Sequence, residues 1–316
     1  MKKLSKDVFQ RIRRHVFLYA RHLDVARWRF HFEGGSAEEV AEALAFYQNE
    51  DGGFGHGIEL DCQNPNSQPV QFFWGAAGIM KEIGYDAPDN PMIKKFIKYI
   101  ENCPDITEHG IRFVVPSNND YPCNFWYTYE PKTPEGNINS GIGFIFEHFS
   151  PDSEIYQKAL RIVEYRFSVM PDILKSRMEA VKDIWQGLEP SDYASLILEL
   201  KKHQVKTAQE CHELYDRLLG IVKEYGTART YEMISKQIGD GTSNIRMDAI
   251  KSSDDLDTIV DKLSNGDQIW NNEGRLRDGE DKSQKYAQIY NIGMWWDIMG
   301  AISDLKVLKS NGRLEK

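Results

Sequence analysis

Cysteine is scarce in this chain of 316 residues. Its four cysteines, Cys62, Cys103, Cys123 and Cys211, show no CxxC spacing. That excludes a zinc ribbon and a dense disulfide framework, and it predicts free thiols in a reducing, cytoplasmic setting. No run of eighteen apolar residues occurs, so no membrane span is expected. The basic start, Met1-Lys2-Lys3-Leu4-Ser5-Lys6, is not followed by an apolar stretch and does not read as a secretory signal. Positive charge is also short. The net charge of −9 leaves no concentrated basic surface for phosphate, which argues against nucleic acid, and Arg11-Ile12-Arg13-Arg14-His15 reads as a solvated helix face. P-loop, GxGxxG and GxSxG patterns are missing, which argues against nucleotide-binding and α/β-hydrolase chemistry.

Helical punctuation fills the chain. Val8, Ile12, Val16, Tyr19 and Leu23 have helical spacing over about 7–23. Ser36-Ala37-Glu38-Glu39 and Thr207-Ala208-Gln209-Glu210 are capping boxes. A third helix is expected over about 67–84, stopping at Gly84, and Asp89 is expected to cap the next. Ser150-Pro151, Pro171 and Pro190 read as helix starts. The last long helix spans about 284–308, and Asp254-Asp255-Leu256-Asp257 reads as a charge cluster at a helix N-terminus. Ten to twelve helices result, with neither sustained heptads nor strand–helix alternation, so an open solenoid or a closed ring of helix pairs is expected. The polar stretch at about 225–253, with Gly239-Asp240-Gly241-Thr242-Ser243-Asn244, reads as an insertion or lid.

Tyr47-Gln48-Asn49-Glu50-Asp51-Gly52-Gly53-Phe54-Gly55 is the most distinctive segment. Gly52 and Gly53 permit positive φ, Asp51 can bond downstream amides, Phe54 can plug a core, and Gln48 can reach a neighbouring helix. This segment resembles the QxxDGGFG/W turn of the terpenoid cyclase and protein prenyltransferase superfamily, also called the prenyltransferase and squalene oxidase repeat. The resemblance implies an all-α fold, an α/α toroid in which the turn joins successive helix pairs, with residues 1–316 as a single domain. Asn265-Gly266-Asp267-Gln268-Ile269-Trp270, and more faintly Glu108-His109-Gly110-Ile111-Arg112-Phe113, look like worn copies of it. Over roughly residues 18–75 the chain also resembles an uncharacterised bacterial group carrying the repeat, in Ala26-Arg27-Trp28-Arg29-Phe30-His31-Phe32-Glu33 and in Gly55-His56-Gly57-Ile58-Glu59-Leu60-Asp61. Tyr121-Pro122-Cys123-Asn124-Phe125-Trp126 and Asn137-Ile138-Asn139-Ser140 resemble that group more loosely. The DxDD acid of the squalene and hopene cyclases and the DDxxD of ionising terpene synthases are both missing, and the zinc ligands of the protein prenyltransferases do not map onto this chain.

The expected catalytic residues are therefore His56, Glu59 and Asp61, an imidazole and two carboxylates in one loop after the turn. They suit general acid–base work or a divalent metal; the alternative is that they cap helices or pair with an arginine. Trp28, His31, Gln71, Trp74, Trp126 and Tyr127 are expected to line a pocket for an apolar or sugar-like small molecule, or else to pack the helix seams. The sequence fixes no cofactor, metal or oligomeric state. It leaves an enzyme with a central cavity and a binding or scaffold protein as the two functional readings.

Overall fold

In the computed structural model, residues 1–130, 138–180, 188–241, 253–266 and 289–315 are described. Among them the regular structure is helical, and β pairing is confined to isolated bridges. The chain divides into two compact units. One comprises Met1–Tyr99, Val114–Thr133 and Ile250–Lys316, and the other Ile100–Phe113 and Pro134–Ala249.

The first unit begins with α1 (Lys6–Tyr19), which the Ser5 hydroxyl caps by accepting from the Val8 N–H at 3.3 Å. Where the periodicity predicts one helix through Leu23, the chain breaks at Ala20 and Arg21, both extended, and restarts as α2 (His22–Phe32). The reason is tertiary. Arg21 is buried and donates to the carbonyls of Gly57 and Ile58 at 3.1 and 3.2 Å, a position that a continuous helix would not give it. Ser36 caps α3 (Ala37–Ala45) through the Glu39 N–H. The expected helix over 67–84 is a π-helical turn, Gln71–Ala76, running into α4 (Ala77–Glu82) and closed by Gly84 at φ +72°. Asn90, not Asp89, caps α5 (Pro91–Glu101), with its Oδ1 accepting from the Met92 N–H at 2.9 Å. α11 (Ser253–Asn265) and α12 (Ile289–Ser310) complete the unit. Its core sets Val8, Ile12 and Val16 against Trp28, Ile259, Leu263, Ile298, Ile302 and Leu305. Leu4 and Leu314 pair in parallel, with Leu4 N–H to Arg313 O at 2.8 Å.

In the second unit, α6 (Asn139–His148) precedes α7 (Glu154–Ala180), which starts after Ser153 rather than at Ser150-Pro151. Pro171 does not start a helix but lies inside α7. An interior proline costs about 3 kcal/mol. The buried face of Phe167, Met170, Leu174 and Met178 runs straight through it, and that burial holds the helix together. α8 (Leu188–Lys202) carries Pro190 in its first turn. Thr207 and Glu210 form the full capping box of α9 (Ala208–Tyr225). Part of the expected polar insertion is also helix. Thr227 caps α10 (Ala228–Asp240), Ile234 is buried, and Gly241 ends it at φ +62°. The remainder of that stretch from residue 242 to 252, and the repeat copy at 267–270, lie outside the described residues.

Candidate functional site

The Gly-Gly turn in the first unit sets the geometry. Asn49 N–H donates to Gly53 O at 2.8 Å, and Gly55 N–H to Tyr47 O at 3.0 Å. Gly52 has φ +91°, and a Cβ there would stand 2.2 Å from the Lys95 carbonyl oxygen of α5. Gln48 donates through Nε2 to the carbonyls of Gly52 and Met92, both at 2.9 Å, tying the turn to α5. Asp51 Oδ1 accepts from the Gly53 N–H at 2.9 Å and the Ser67 hydroxyl at 2.7 Å. Phe54 is fully buried against Phe72 and Phe96, whose rings stack at 3.6 Å.

The chain leaves this turn through His56 (φ +59°) and Gly57 (φ +71°), and the Arg21 guanidinium beneath holds the carbonyls that follow. Arg21 is itself paired with buried Asp24 at 2.7 Å. The result is a loop that carries Glu59 inward. Glu59 is 5% exposed. Its Oε1 accepts from the Tyr127 hydroxyl and its Oε2 from the Asp61 N–H, both at 3.1 Å. Its own N–H donates to Gln71 Oε1 at 2.8 Å, and Gln71 Nε2 donates to Cys62 O at 2.9 Å. Half-buried Asp61 accepts through Oδ1 from the Trp296 indole N–H at 2.8 Å. Burial, and after it the charge of Asp61, raises the Glu59 pKa to about 7, against the bonds from the Asp61 N–H and Tyr127 and the charge of Arg21. Burial and then the Glu59 charge likewise raise the Tyr127 phenol well above its ordinary value.

Of the six pocket residues expected from sequence, Gln71 and Tyr127 join Glu59 and Asp61 in this network. His56 does not. It is exposed, and its Nε2 meets Asn49 Oδ1 at 2.8 Å. Trp28 is fully buried in the helical core, with its indole N–H on Glu33 at 2.7 Å. His31 belongs to a separate ion cluster in which Glu82 meets His31 at 2.7 Å, Arg27 at 2.9 Å and Lys306 at 2.6 Å. Burial opposes the charge on Glu82, but the hydrogen bonds from His31 and Arg27 and the Arg27 charge outweigh it and hold its carboxyl well below the usual carboxylate range. Trp74 and Trp126 are 60% and 42% exposed, on the π-helical turn and on the short 3₁₀ turn Phe125–Tyr127.

Sequence reading missed Arg21 and Trp296. No local signal marks Trp296, which lies 235 positions from the aspartate it holds. A shallow groove of about 150 Å³, bordered by His22, Val25, Arg29, Glu39, Glu42 and Phe46, lies between α2 and α3 and includes none of the expected site residues. Among the described residues, no group of three or more His, Cys, Asp or Glu is placed to hold a metal, and no helix is long and apolar enough to cross a membrane. No family model matches the chain, and no curated protein or solved structure matches it.

Proposed function

We propose that this chain is an α/α-toroid protein of the terpenoid cyclase and prenyltransferase kind, and that it transfers protons to or from a small molecule through Glu59 and Asp61. The observation that carries the chemistry is the asymmetry of that pair. One carboxyl is buried, bonded to Tyr127 and raised to about pKa 7, and the other lies half-buried two residues on, held by Trp296. Two carboxyls in such different settings divide into an acid and a base near neutral pH. When Glu59 is protonated its O–H donates to the Tyr127 oxygen, and the phenol O–H becomes the next donor in line. The fold assignment is supported by the Gly-Gly turn and by α12 packing on α1 and α2, the contact that brings a last helix against the first ones.

The substrate class that suits the surroundings is an apolar or carbohydrate-like ring. Trp74 and Trp126 are exposed aromatic rings, and they lie three residues and one residue along the chain from Gln71 and Tyr127. A second reading, binding or scaffolding without chemistry, is favoured by the occupancy of the network: both Glu59 oxygens and Asp61 Oδ1 already accept from the protein. The two separate when the full chain is incubated with isoprenoid alcohols and oligosaccharides at pH 5–8 and the mixtures are followed by mass spectrometry. Proton-transfer catalysis predicts conversion of a panel member by the wild type and its loss in both Glu59→Gln and Asp61→Asn. Conversion that survives both variants, or binding seen by saturation-transfer NMR with no conversion, overturns it.

A further inference from the structure

Next to the carboxyl network, Cys62 and Cys123 face each other across an isolated antiparallel bridge. The Gln63 N–H donates to Pro122 O at 2.9 Å and the Asn124 N–H to Asp61 O at 2.8 Å, so the two cysteines form the non-hydrogen-bonded pair between those bonds. Facing residues in such a pair have Cα atoms about 4.5 Å apart and side chains on the same face. A disulfide accepts Cα separations of about 4.4–6.8 Å. Both sulfurs also bond to the same residue: Cys62 Sγ donates to Asn118 Oδ1 at 3.3 Å, and Cys123 Sγ to the Asn118 carbonyl at 3.6 Å.

We propose that Cys62 and Cys123 are a modification site, a dithiol that closes reversibly into a cross-strand disulfide. Loss of the two S–H donors would leave no acceptor stranded. Asn118 Oδ1 keeps the Asn64 Nδ2 donor at 2.8 Å, and the Asn118 carbonyl keeps the Tyr121 N–H at 3.2 Å. Gln68 Nε2, which donates to Cys62 Sγ at 3.7 Å, keeps a sulfur acceptor in either state. The other two cysteines, Cys103 and Cys211, face no cysteine across any bridge among the described residues.

The co-reactant is a low-molecular-weight disulfide, RSSR. Cys123, 7% exposed against 0% for Cys62, loses its proton and attacks one sulfur of RSSR, expelling RS⁻, which takes up a proton. The Cys62 thiolate then attacks the Cys123 sulfur of the mixed disulfide and expels the second RS⁻. Two protein thiols are oxidised by two electrons and one RSSR is reduced to two RSH. Burial pushes the Cys62 thiol up to about 12, so exchange waits on local opening and is slow. Once formed, the bond would link the loop bearing Glu59 and Asp61 to the segment bearing Tyr127.

The test treats the full chain with oxidised glutathione, blocks remaining thiols with N-ethylmaleimide in denaturant, and maps peptides by mass spectrometry. The expected product is about 2 Da lighter before blocking. It carries maleimide on Cys103 and Cys211 alone, yields a cross-linked peptide pair containing Cys62 and Cys123, and reverts with dithiothreitol. Its Tm is expected to rise by a few degrees. Cys62→Ser and, separately, Cys123→Ala abolish the cross-link. Four blocked cysteines after prolonged oxidation, or a cross-link joining any other pair, overturns the assignment whether or not the chain proves to be an enzyme.

Discussion

Glu59 takes up its proton more tightly in the folded chain than in the unfolded one, and this couples stability to pH in a direction opposite to that of most carboxylates. Its pKa is raised from 4.5 to about 7 in a side chain that is 5% exposed. For a raised carboxyl the stabilising contribution is full below the unfolded value and is lost as pH climbs through the folded one. At about 1.4 kcal/mol per pH unit, the interval from 4.5 to about 7 amounts to about 3 kcal/mol. Glu59→Gln keeps the shape and removes the ionisation. Urea denaturation of both proteins, followed by tryptophan fluorescence and far-UV circular dichroism, gives the difference in unfolding free energy at each pH. The variant should gain about 3 kcal/mol on the wild type between pH 4.5 and 8, with most of the gain below pH 7. Asp61→Asn removes the charge that adds to burial and should pull the upper end of this window down; Tyr127→Phe removes an opposing bond and should push it up. If the difference between Glu59→Gln and wild type stays flat from pH 4.5 to 8, Glu59 ionises as an ordinary carboxylate and the acid–base division falls with it.

Three further outcomes follow from the packing and the ion pairs. Gly52→Ala should destabilise the chain by at least about 1–2 kcal/mol in urea denaturation, since φ +91° already disfavours a Cβ by roughly that much, and the Lys95 oxygen at 2.2 Å adds a clash with backbone. Glu82→Gln leaves Arg27, His31 and Lys306 facing a neutral amide and should cost about 3–5 kcal/mol by the same assay, whereas Arg13→Ala, at an exposed pair with Glu33, should cost under about 1 kcal/mol.

How much of this was legible in the sequence depends on the range of the interaction involved. Features set within four or five residues are readable. The Thr207 capping box needs only Glu210, and the turn at Gly52 needs only a residue that accepts φ +91°. Proline and serine signals mislead where a longer apolar face competes. Pro171 sits inside α7 because Phe167, Met170, Leu174 and Met178 continue one buried stripe past it, and the local rule for proline carries no knowledge of what that stripe packs on. The break at Ala20 has no local signal at all. It exists because the carbonyls of Gly57 and Ile58 require a donor, and Arg21 supplies it from 36 and 37 positions away.

The candidate site obeys the same distinction, and that bears on how its residues are weighed. His56, Glu59 and Asp61 share a loop, so proximity in sequence groups them, but the two glycine-like φ values at His56 and Gly57 turn the chain between the first and the others. The histidine is left on the Asn49 side chain, while Glu59 passes over Arg21 into the interior. What the carboxyls acquire in exchange comes from remote segments: Tyr127 to Glu59 across 68 positions, and Trp296 to Asp61 across 235. A buried acid with donors drawn from such distant parts of the chain costs free energy whenever it ionises, and an amide would meet the same packing without that cost. The pH dependence of Glu59→Gln measures that cost directly, and the proposed proton transfer would give the buried acid a use that folding alone does not.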